Sequence, residues 1–513
     1  AMGTGVTTGS DNIAIGTTAM DAVTSGACNV AIGCNALGGL TTANENIAIG
    51  KNALGAATVT GANNIAMGQA AMDVLTSGIY NIALGVNALG AATTGCQNVA
   101  IGNLALGAGV TTGCDNVAIG TSAADALTSG RWNIAIGCHT LGASTTGANN
   151  IAIGRATMGA TDVTGDDNIA MGQSTMDALT TGDCNIALGI NALGAATTGC
   201  SNVAIGTGPM NSAVTGSFNI ALGNGTADAL TTGHTNIAIG LNALGVSTVG
   251  YENIAIGKHA LGEADVQNIN NVAIGFYAAR NTTGAYNVAL GPSSMYNAST
   301  AGNTIAIGRC ALGTGIVTGA ENIGIGRNAA TTMTSGYKNI AIGCDSMQDL
   351  TTGTDNISMG RGSYANATTG CYNTAIGTMA MGGAITTGLN NIALGSNSMD
   401  ALTSGNDNIA MGDNAMGAGT TGSCNVALGK GAMSGSGCVT KGTQNVVLGI
   451  GSGSGPGEAN IPNGNVIMGL LSVDTCYAGC DNVVIGTAAL RRMRDGANKN
   501  IAIGCCAMGA SNV

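Results

Sequence analysis

The sequence predicts an all-β fold, a parallel β-solenoid built from repeats of 17–18 residues. A pentapeptide of the form Asn-(Ile/Val)-Ala-(Ile/Leu/Met)-Gly recurs in 29 near-identical copies along the 513 residues, nearly all of them 17 or 18 residues apart. No stretch shows helical periodicity over the length that a helix needs. A repeat this short cannot bury its aliphatic side chains alone, so consecutive copies are expected to stack as coils.

Each repeat is numbered here from its Asn as position 0, and residues before the Asn take negative numbers. Positions 1 and 3 are aliphatic and alternate with position 2, which is the period of a strand. Position 4 is Gly in every copy, which fits a corner without room for a Cβ. The Thr-Thr-Gly or Thr-Ser-Gly near the end of the repeat is typical of a turn. Side chains at positions 1, 3 and 8 are therefore the predicted core, for example Ile13, Ile15, Ile47, Ile49, Ile134, Ile136, Leu37, Leu54 and Leu89.

The Asn at position 0 is present in 28 copies, and Thr304 is the exception. Stacked Asn side chains can form a hydrogen-bonded ladder along a solenoid. Asn also suits a turn that leads into a strand. Both interpretations are open from the sequence.

Position 2 is Ala in 24 of the 29 copies. On a strand it faces away from positions 1 and 3, and an exposed column would vary and become polar. We therefore expect Ala14, Ala31, Ala48 and Ala135 to form an interface between copies of the chain, most simply in a homotrimer. The alternative is a flattened solenoid that packs its own second side against this column.

A longer rhythm accompanies the repeat, because the early spacings run 17, 17 and 18 and a Met-Asp pair recurs at multiples of three copies, as in Met20-Asp21, Met72-Asp73 and Met176-Asp177. Either three repeats form one turn, or a three-repeat block was duplicated. The rhythm slips after Asn322, which favours duplication. We divide the chain into regular repeats (1–437), irregular repeats with a Gly-rich insertion (438–481) and final repeats (482–513).

The composition excludes several classes of protein. There are 87 glycines and two phenylalanines, and 8% of the residues are charged. The thinly spread net charge of −11 argues against nucleic-acid binding. No apolar run approaches the 18–20 residues of a membrane span, so membrane insertion is not expected. Ala1-Met2-Gly3-Thr4 looks like the end of a repeat, which suggests a fragment or a processed product.

Aromatic and charged residues concentrate beside the strand. The two positions before the Asn carry the candidate exposed contact residues Tyr80, Trp132, Phe218, Tyr251, Tyr286, Tyr337 and Tyr372. Acids recur at position −1 and bases at position 5, and four repeats carry both: Glu45/Lys51, Glu252/Lys258, Glu321/Arg327 and Asp355/Arg361. We expect solvated charges that discourage lateral aggregation.

No signature of an enzyme, cofactor site or metal site is present, and we expect none of the three. The Gly-rich runs lack a following helix, and the cysteines and histidines lack zinc-like spacing. The recurring Asp21, Asp73, Asp125, Asp177 and Asp228 would align only if three repeats made one turn. The sixteen cysteines indicate either an oxidising compartment or small fillers.

The Asn-Ile-Ala-Ile-Gly, Ala-Leu and Thr-Thr-Gly elements resemble the head repeats of YadA-like trimeric autotransporter adhesins. They resemble more closely the longer repeats in the shafts of bacteriophage tail fibres. The resemblance runs from Asn12 to Gly504. It implies a left-handed parallel β-roll, a homotrimer, and attachment to a host or a cell-surface receptor from a virion tail fibre or an extracellular surface. The adhesin head repeat is shorter than 17 residues, and this sequence shows neither the coiled-coil stalk nor the membrane anchor of the adhesins, which favours the tail-fibre comparison.

The sequence thus predicts a structural fibre or adhesin shaft. A self-assembling extracellular filament is the alternative. An ice- or surface-binding solenoid is disfavoured, because ice-binding Thr arrays need Thr on one strand face at spacing two. Here the Thr residues are adjacent and belong to a turn.

Overall fold

The computed structural model describes residues 8–55, 58–265, 267, 269–435, 441–454, 463–473, 479–490 and 498–508. Within these residues the regular elements are strands of three residues, and no helix is present. The contacts divide the chain into two units, Ala1–Asn253 and Ile254–Val513.

The first unit contains fourteen strands. They are β1 Ile13–Ile15, β2 Val30–Ile32, β3 Ile47–Ile49, β4 Ile65–Met67, β5 Ile82–Leu84, β6 Val99–Ile101, β7 Val117–Ile119, β8 Ile134–Ile136, β9 Ile151–Ile153, β10 Ile169–Met171, β11 Ile186–Leu188, β12 Val203–Ile205, β13 Ile220–Leu222 and β14 Ile237–Ile239.

The second unit contains fifteen strands among its described residues. They are β15 Ile254–Ile256, β16 Val272–Ile274, β17 Val288–Leu290, β18 Ile305–Ile307, β19 Ile323–Ile325, β20 Ile340–Ile342, β21 Ile357–Met359, β22 Thr374–Ile376, β23 Ile392–Leu394, β24 Ile409–Met411, β25 Val426–Leu428, β26 Val446–Leu448, β27 Val466–Met468, β28 Val483–Ile485 and β29 Ile501–Ile503.

Within each unit every strand pairs in parallel with the strand of the next repeat, in the same register. In β8 and β9, for example, Ile134 pairs with Ile151 and Ala135 with Ala152. One repeat is therefore one coil, and the predicted parallel β-solenoid is confirmed. The alternative in which three repeats make one turn is wrong. The longer rhythm is a sequence pattern that recurs every three coils.

The predicted assignment of strand faces is wrong. Position 2 points into the coil and positions 1 and 3 point outward: Ile13 and Ile15 are 52% and 59% exposed. Ile47, Ile49, Ile134 and Ile136 are partly exposed, not buried. The predictions for position 8 are right, since Leu37, Leu54 and Leu89 are buried.

The coil is too thin to hold aliphatic side chains from both of its sides. Gly324 occupies position 2 in its repeat, and a Cβ built there would lie 3.2 Å from Cγ of Leu312, the position 8 residue of the preceding coil. A position 2 side chain thus already meets the large side chain opposite it. Only a small residue fits at position 2 over most of the stack, which explains the Ala column.

The Ala column consequently packs inside its own chain. Ala31, Ala48 and Ala135 are fully buried within the single chain. Ala14, in the first described coil, is partly buried. The predicted interface between copies through these residues is therefore wrong. The alternative is correct: the Ala column packs against the second side of the same solenoid.

The Asn residues at position 0 form a hydrogen-bonded ladder, which is one of the two interpretations that the sequence left open. Asn133 donates from its backbone N–H and from Nδ2 to Oδ1 of Asn116, at 3.0 and 3.1 Å. Its own Oδ1 accepts the backbone N–H of Asn150 at 3.0 Å. Nδ2 of Asn133 also donates to the carbonyl of Gly147, at 2.7 Å. These side chains are buried, and the bonds satisfy groups that would otherwise be costly to bury.

Two kinds of corner close each coil. The Gly at position 4 has φ near +135°, and a Cβ at Gly33 would lie 2.5 Å from the carbonyl oxygen of Gly50 in the next coil. Positions −1, 6 and 8 also adopt positive φ without being Gly, as at Trp132 (57°), Asn35 (55°) and Leu37 (51°). The Gly corner follows from the sequence, whereas the left-handed non-Gly corners did not.

The coils near the end of the sequence have larger side chains at position 2. Val447, Ile467 and Val484 occupy position 2 and are buried, so the change at this point concerns the core and not an interface. The Gly-rich insertion (451–457) is described only to residue 454. The first four residues, predicted to be the end of a repeat, lie outside the described residues.

Ala135→Leu is expected to destabilise the chain itself. The larger side chain must overpack a coil that has no free space at position 2, at a cost of about 1–3 kcal/mol. Hydrogen exchange around β8 should show faster opening, whereas exposed Thr121→Leu should leave it unchanged. Unchanged protection around β8 in Ala135→Leu would contradict the inward orientation of this column.

Thr304→Asn is expected to stabilise the second unit. Thr304 donates its hydroxyl to the carbonyl of Gly302 in its own coil, so the amide oxygen that receives the next backbone N–H is missing there. Restoring that acceptor should contribute about 1 kcal/mol. Slower hydrogen exchange in the neighbouring coils is the measurement.

The reverse substitution, Asn133→Thr, serves as the matched control. It should destabilise its neighbours by about 1–3 kcal/mol, because it leaves buried groups unpaired. A stability change of the same sign in both variants would show that the ladder is not the cause.

Candidate interaction surface

An aliphatic face runs along one side of each unit, formed by the outward side chains at positions 1 and 3. In 29 strands these two positions are Ile, Val, Leu or Met, except at Thr374. None of these side chains is buried, and several are more than a third exposed, such as Ile186 (36%) and Ile205 (39%). An exposed sheet face normally carries polar residues, so this face differs from an ordinary solvated surface.

The size of the aliphatic face can be estimated for the first unit. Its fourteen strands contribute two outward side chains each. If each of these 28 side chains exposes on the order of 50 Å², the face of the first unit has an area of roughly 1,400 Å² per chain. Soluble monomers seldom expose apolar patches larger than about 300–600 Å², and larger ones mark interaction sites.

Two charged edges border the aliphatic face. The N-edge comprises positions −2 and −1, and the C-edge comprises positions 5 and 6. The N-edge carries the acids at position −1: Asp11, Glu45, Asp115, Asp167, Glu252, Glu321, Asp355, Asp407 and Asp481. The C-edge carries the bases at position 5: Lys51, Arg155, Lys258, Arg309, Arg327, Arg361 and Lys430.

The two edges of one chain do not neutralise each other. Position 5 follows position −1 by six residues, or roughly 15–20 Å of extended chain. Two ion pairs of position 5 bases lie within the C-edge: Arg327 pairs with Asp345 at position 6 (3.1 Å), and Lys430 pairs with Asp413 at position 5 (3.3 Å). Hydrogen bonds from Cys344 and Asn328, together with the Arg327 charge, lower the pKa of Asp345. The acids of the N-edge therefore have no basic partner on the C-edge of the same chain among the described residues.

Six of the seven predicted aromatic contact residues are exposed, all on the N-edge. Their exposed fractions range from 43% for Tyr337 to 64% for Phe218, and the others are Tyr80, Trp132, Tyr286 and Tyr372. Tyr251 is only partly exposed, because it stacks on His234 with ring centres 4.9 Å apart. They lie in separate coils, and the structure does not bring them together into one site.

The sequence analysis missed an aromatic cluster on the C-edge side of the second unit. Tyr277 contacts the rings of Phe276 (4.0 Å), His259 (5.3 Å) and Tyr296 (5.8 Å). The Arg280 guanidinium lies 4.5 Å from the Tyr277 ring centre and pairs with Glu263, which raises the pKa of Arg280. The sequence feature that could have predicted this cluster is that His259 and Tyr277 both occupy position 6, in successive repeats.

The described cysteines lie only on the two edges. They occupy positions −2 (Cys96, Cys114, Cys200, Cys371, Cys480), −1 (Cys28, Cys184, Cys424), 5 (Cys34, Cys138, Cys344, Cys505) and 6 (Cys310, Cys506). None is buried, so they are not core fillers. Cys96 and Cys114 form a disulfide between adjacent coils, with Cα atoms 4.7 Å apart. The two remaining cysteines, Cys438 and Cys476, lie outside the described residues.

The acids at position 9 do not form a column. Asp21, Asp73, Asp125 and Asp177 are three coils apart because each coil is one repeat, which separates them by roughly 14 Å. Within the part of the chain that the structure describes, no three His, Cys, Asp or Glu residues are grouped as metal ligands would be. The same residues contain no helix long and apolar enough to span a membrane.

Comparison with models of known protein families finds no match to this sequence, and comparison with curated proteins finds none either.

Proposed function

We propose that the protein is a structural fibre or adhesin shaft, and that copies of the chain associate in parallel through their aliphatic faces as a homotrimer. The single observation that supports this proposal best is the aliphatic face itself. Apart from Thr374, every strand in each unit carries two outward aliphatic side chains at positions 1 and 3. Selection for a solvated surface would not maintain that pattern.

The area of the face is large enough for a permanent assembly. Two copies that cover the face of the first unit would bury roughly 2,800 Å² in total, within the range of about 2,000–5,000 Å² of obligate interfaces. At about 25 cal/mol per Å² of apolar surface, this burial is the main driving force for association. The repeating surface also provides the same contact in every coil, which makes the assembly stiff along its length.

The charges on the edges favour one symmetry. Rotation about an axis parallel to the stack brings the N-edge of one copy to the C-edge of the next at the same height. Acids at position −1 then face bases at position 5, as Glu45 would face Lys51 of the next copy. An antiparallel pair would place acids against acids, which is unfavourable. Charge complementarity thus supports a parallel ring.

Such a fibre provides reach and stiffness for attachment, from a virion tail fibre or an extracellular surface. The exposed N-edge aromatics and the aromatic cluster around Tyr277 are the candidate contacts with a cell-surface receptor. A self-assembling extracellular filament would use the same face and would differ only in how the ends of the assembly join.

The double variant Ile186→Lys/Ile205→Lys is expected to abolish association. It places two charges in adjacent coils on the aliphatic face, where association would bury them without partners. Analytical ultracentrifugation should give three times the chain mass for the unmodified protein and the mass of one chain for the variant. Circular dichroism should show the same strand content in both.

The control is Thr181→Lys/Thr198→Lys, which adds the same charge to the same two coils at exposed position −4, outside the strand and both edges. It should associate normally. A stable monomer of the unmodified chain at micromolar concentration would refute the proposed function, and a dimer would refute the threefold symmetry alone.

A further inference from the structure

The coil of β2 carries a cysteine on each edge of the aliphatic face. Cys28 lies at position −1 on the N-edge and Cys34 at position 5 on the C-edge, and both are exposed with free thiols. Among the described residues, no other coil has cysteines at both of these edges. The pair therefore marks one height along the first unit.

Neither thiol has a partner within its own chain. A disulfide requires Cα atoms within about 7 Å, and the strand between Cys28 and Cys34 holds them roughly 15–20 Å apart. The neighbouring coils place Asp11 and Glu45 beside Cys28 in the same column. They place Thr17 and Lys51 beside Cys34. By contrast, Cys96 and Cys114 occupy the same position of adjacent coils, where a disulfide within the chain does form.

The parallel ring proposed above supplies the missing partner. It sets the N-edge of one copy against the C-edge of the next at equal height, so Cys28 of each copy faces Cys34 of its neighbour. The adjacent coil carries Glu45 and Lys51 at the same two positions, and their attraction across the contact would hold the two edges together. The thiols and the charges thus specify the same neighbour and the same register.

We infer that a disulfide between Cys28 of one copy and Cys34 of the next locks the assembled ring covalently. This inference rests on the proposed function, because it needs the parallel association. The oxidant is a small-molecule disulfide such as oxidised glutathione. Each Cys28–Cys34 bond releases two protons and two electrons, and these convert one molecule of the oxidant into two thiols. One bond forms at each contact, so the ring closes on itself.

The test uses the full chain in which every cysteine except Cys28, Cys34, Cys96 and Cys114 is replaced by Ser. After incubation with oxidised glutathione, denaturing electrophoresis without reductant should show a covalent species of three chains that collapses to one on reduction. Cys28→Ser and Cys34→Ser in this background should each remain single chains. An equimolar mixture of these two variants, assembled together, should give covalent dimers, because one supplies each thiol.

A positional control moves the thiol off the edge. Ser25 is exposed on the same coil at position −4, outside the strand and both edges. Cys28→Ser/Ser25→Cys in the same background keeps two cysteines in this coil but should form no bond to Cys34 of another copy.

The outcomes separate this inference from the proposed function. Association in ultracentrifugation under reducing conditions, without any covalent species after oxidation, would overturn the disulfide and leave the fibre intact. Covalent dimers from either single variant alone would also overturn it, since they require identical edges to meet. A monomer under reducing conditions would overturn both proposals.

Discussion

The separation of about 4.8 Å between coils is the constraint on which the remaining structure depends. It places identical positions of successive repeats in direct contact, so each column must tolerate its own residue as a neighbour. A Cβ at Gly33 would lie within 2.5 Å of the Gly50 carbonyl oxygen, which leaves Gly as the residue for that corner. Gly avoids a clash with its neighbour in the column, whereas the Asn at position 0 forms hydrogen bonds with its neighbour. An amide can both donate to and accept from a copy of itself.

The thin coil links the core to the outer surface. Ala at position 2 and a large side chain at position 8 fill the interior, so the aliphatic side chains at positions 1 and 3 have no place inside. They lie outside and form an apolar face on each unit, and the hydration of this face is unfavourable in every coil. The coils bury their interior within one chain but leave these aliphatic side chains exposed to water. This exposure is the physical reason to expect association.

The sequence contains enough information to predict the strands, the coil and the Gly corner, because each follows from a residue type repeated at a fixed period. It does not determine which strand face lies inward. Period two shows that Ile134 and Ile136 share a face and that Ala135 lies on the other, but not which of the two faces the interior. That choice depends on the thickness of the coil, which is set by contacts between residues far apart in the repeat.

The interaction surface was predictable only in part. Six of the seven predicted N-edge aromatics are exposed, as their position before the strand predicts. The cluster around Tyr277 joins three successive coils, and residues 18 or 19 positions apart have no visible relation until the coil length is known. The left-handed corner at Trp132 was hidden for another reason, since bulky residues seldom adopt that conformation and give no signal of it.

The Asn ladder also gives the stack a polarity. Each amide oxygen accepts from the repeat that follows it in the sequence, as Asn12 accepts from Asn29 and Asn133 from Asn150. A completed coil therefore presents the Oδ1 of its Asn as a hydrogen-bond acceptor to the coil that is synthesised next. Folding can then advance in the direction of synthesis, with every completed coil acting as the template for its successor. The amide at position 0 would in this way serve as a direction-setting element of folding as well as a structural one.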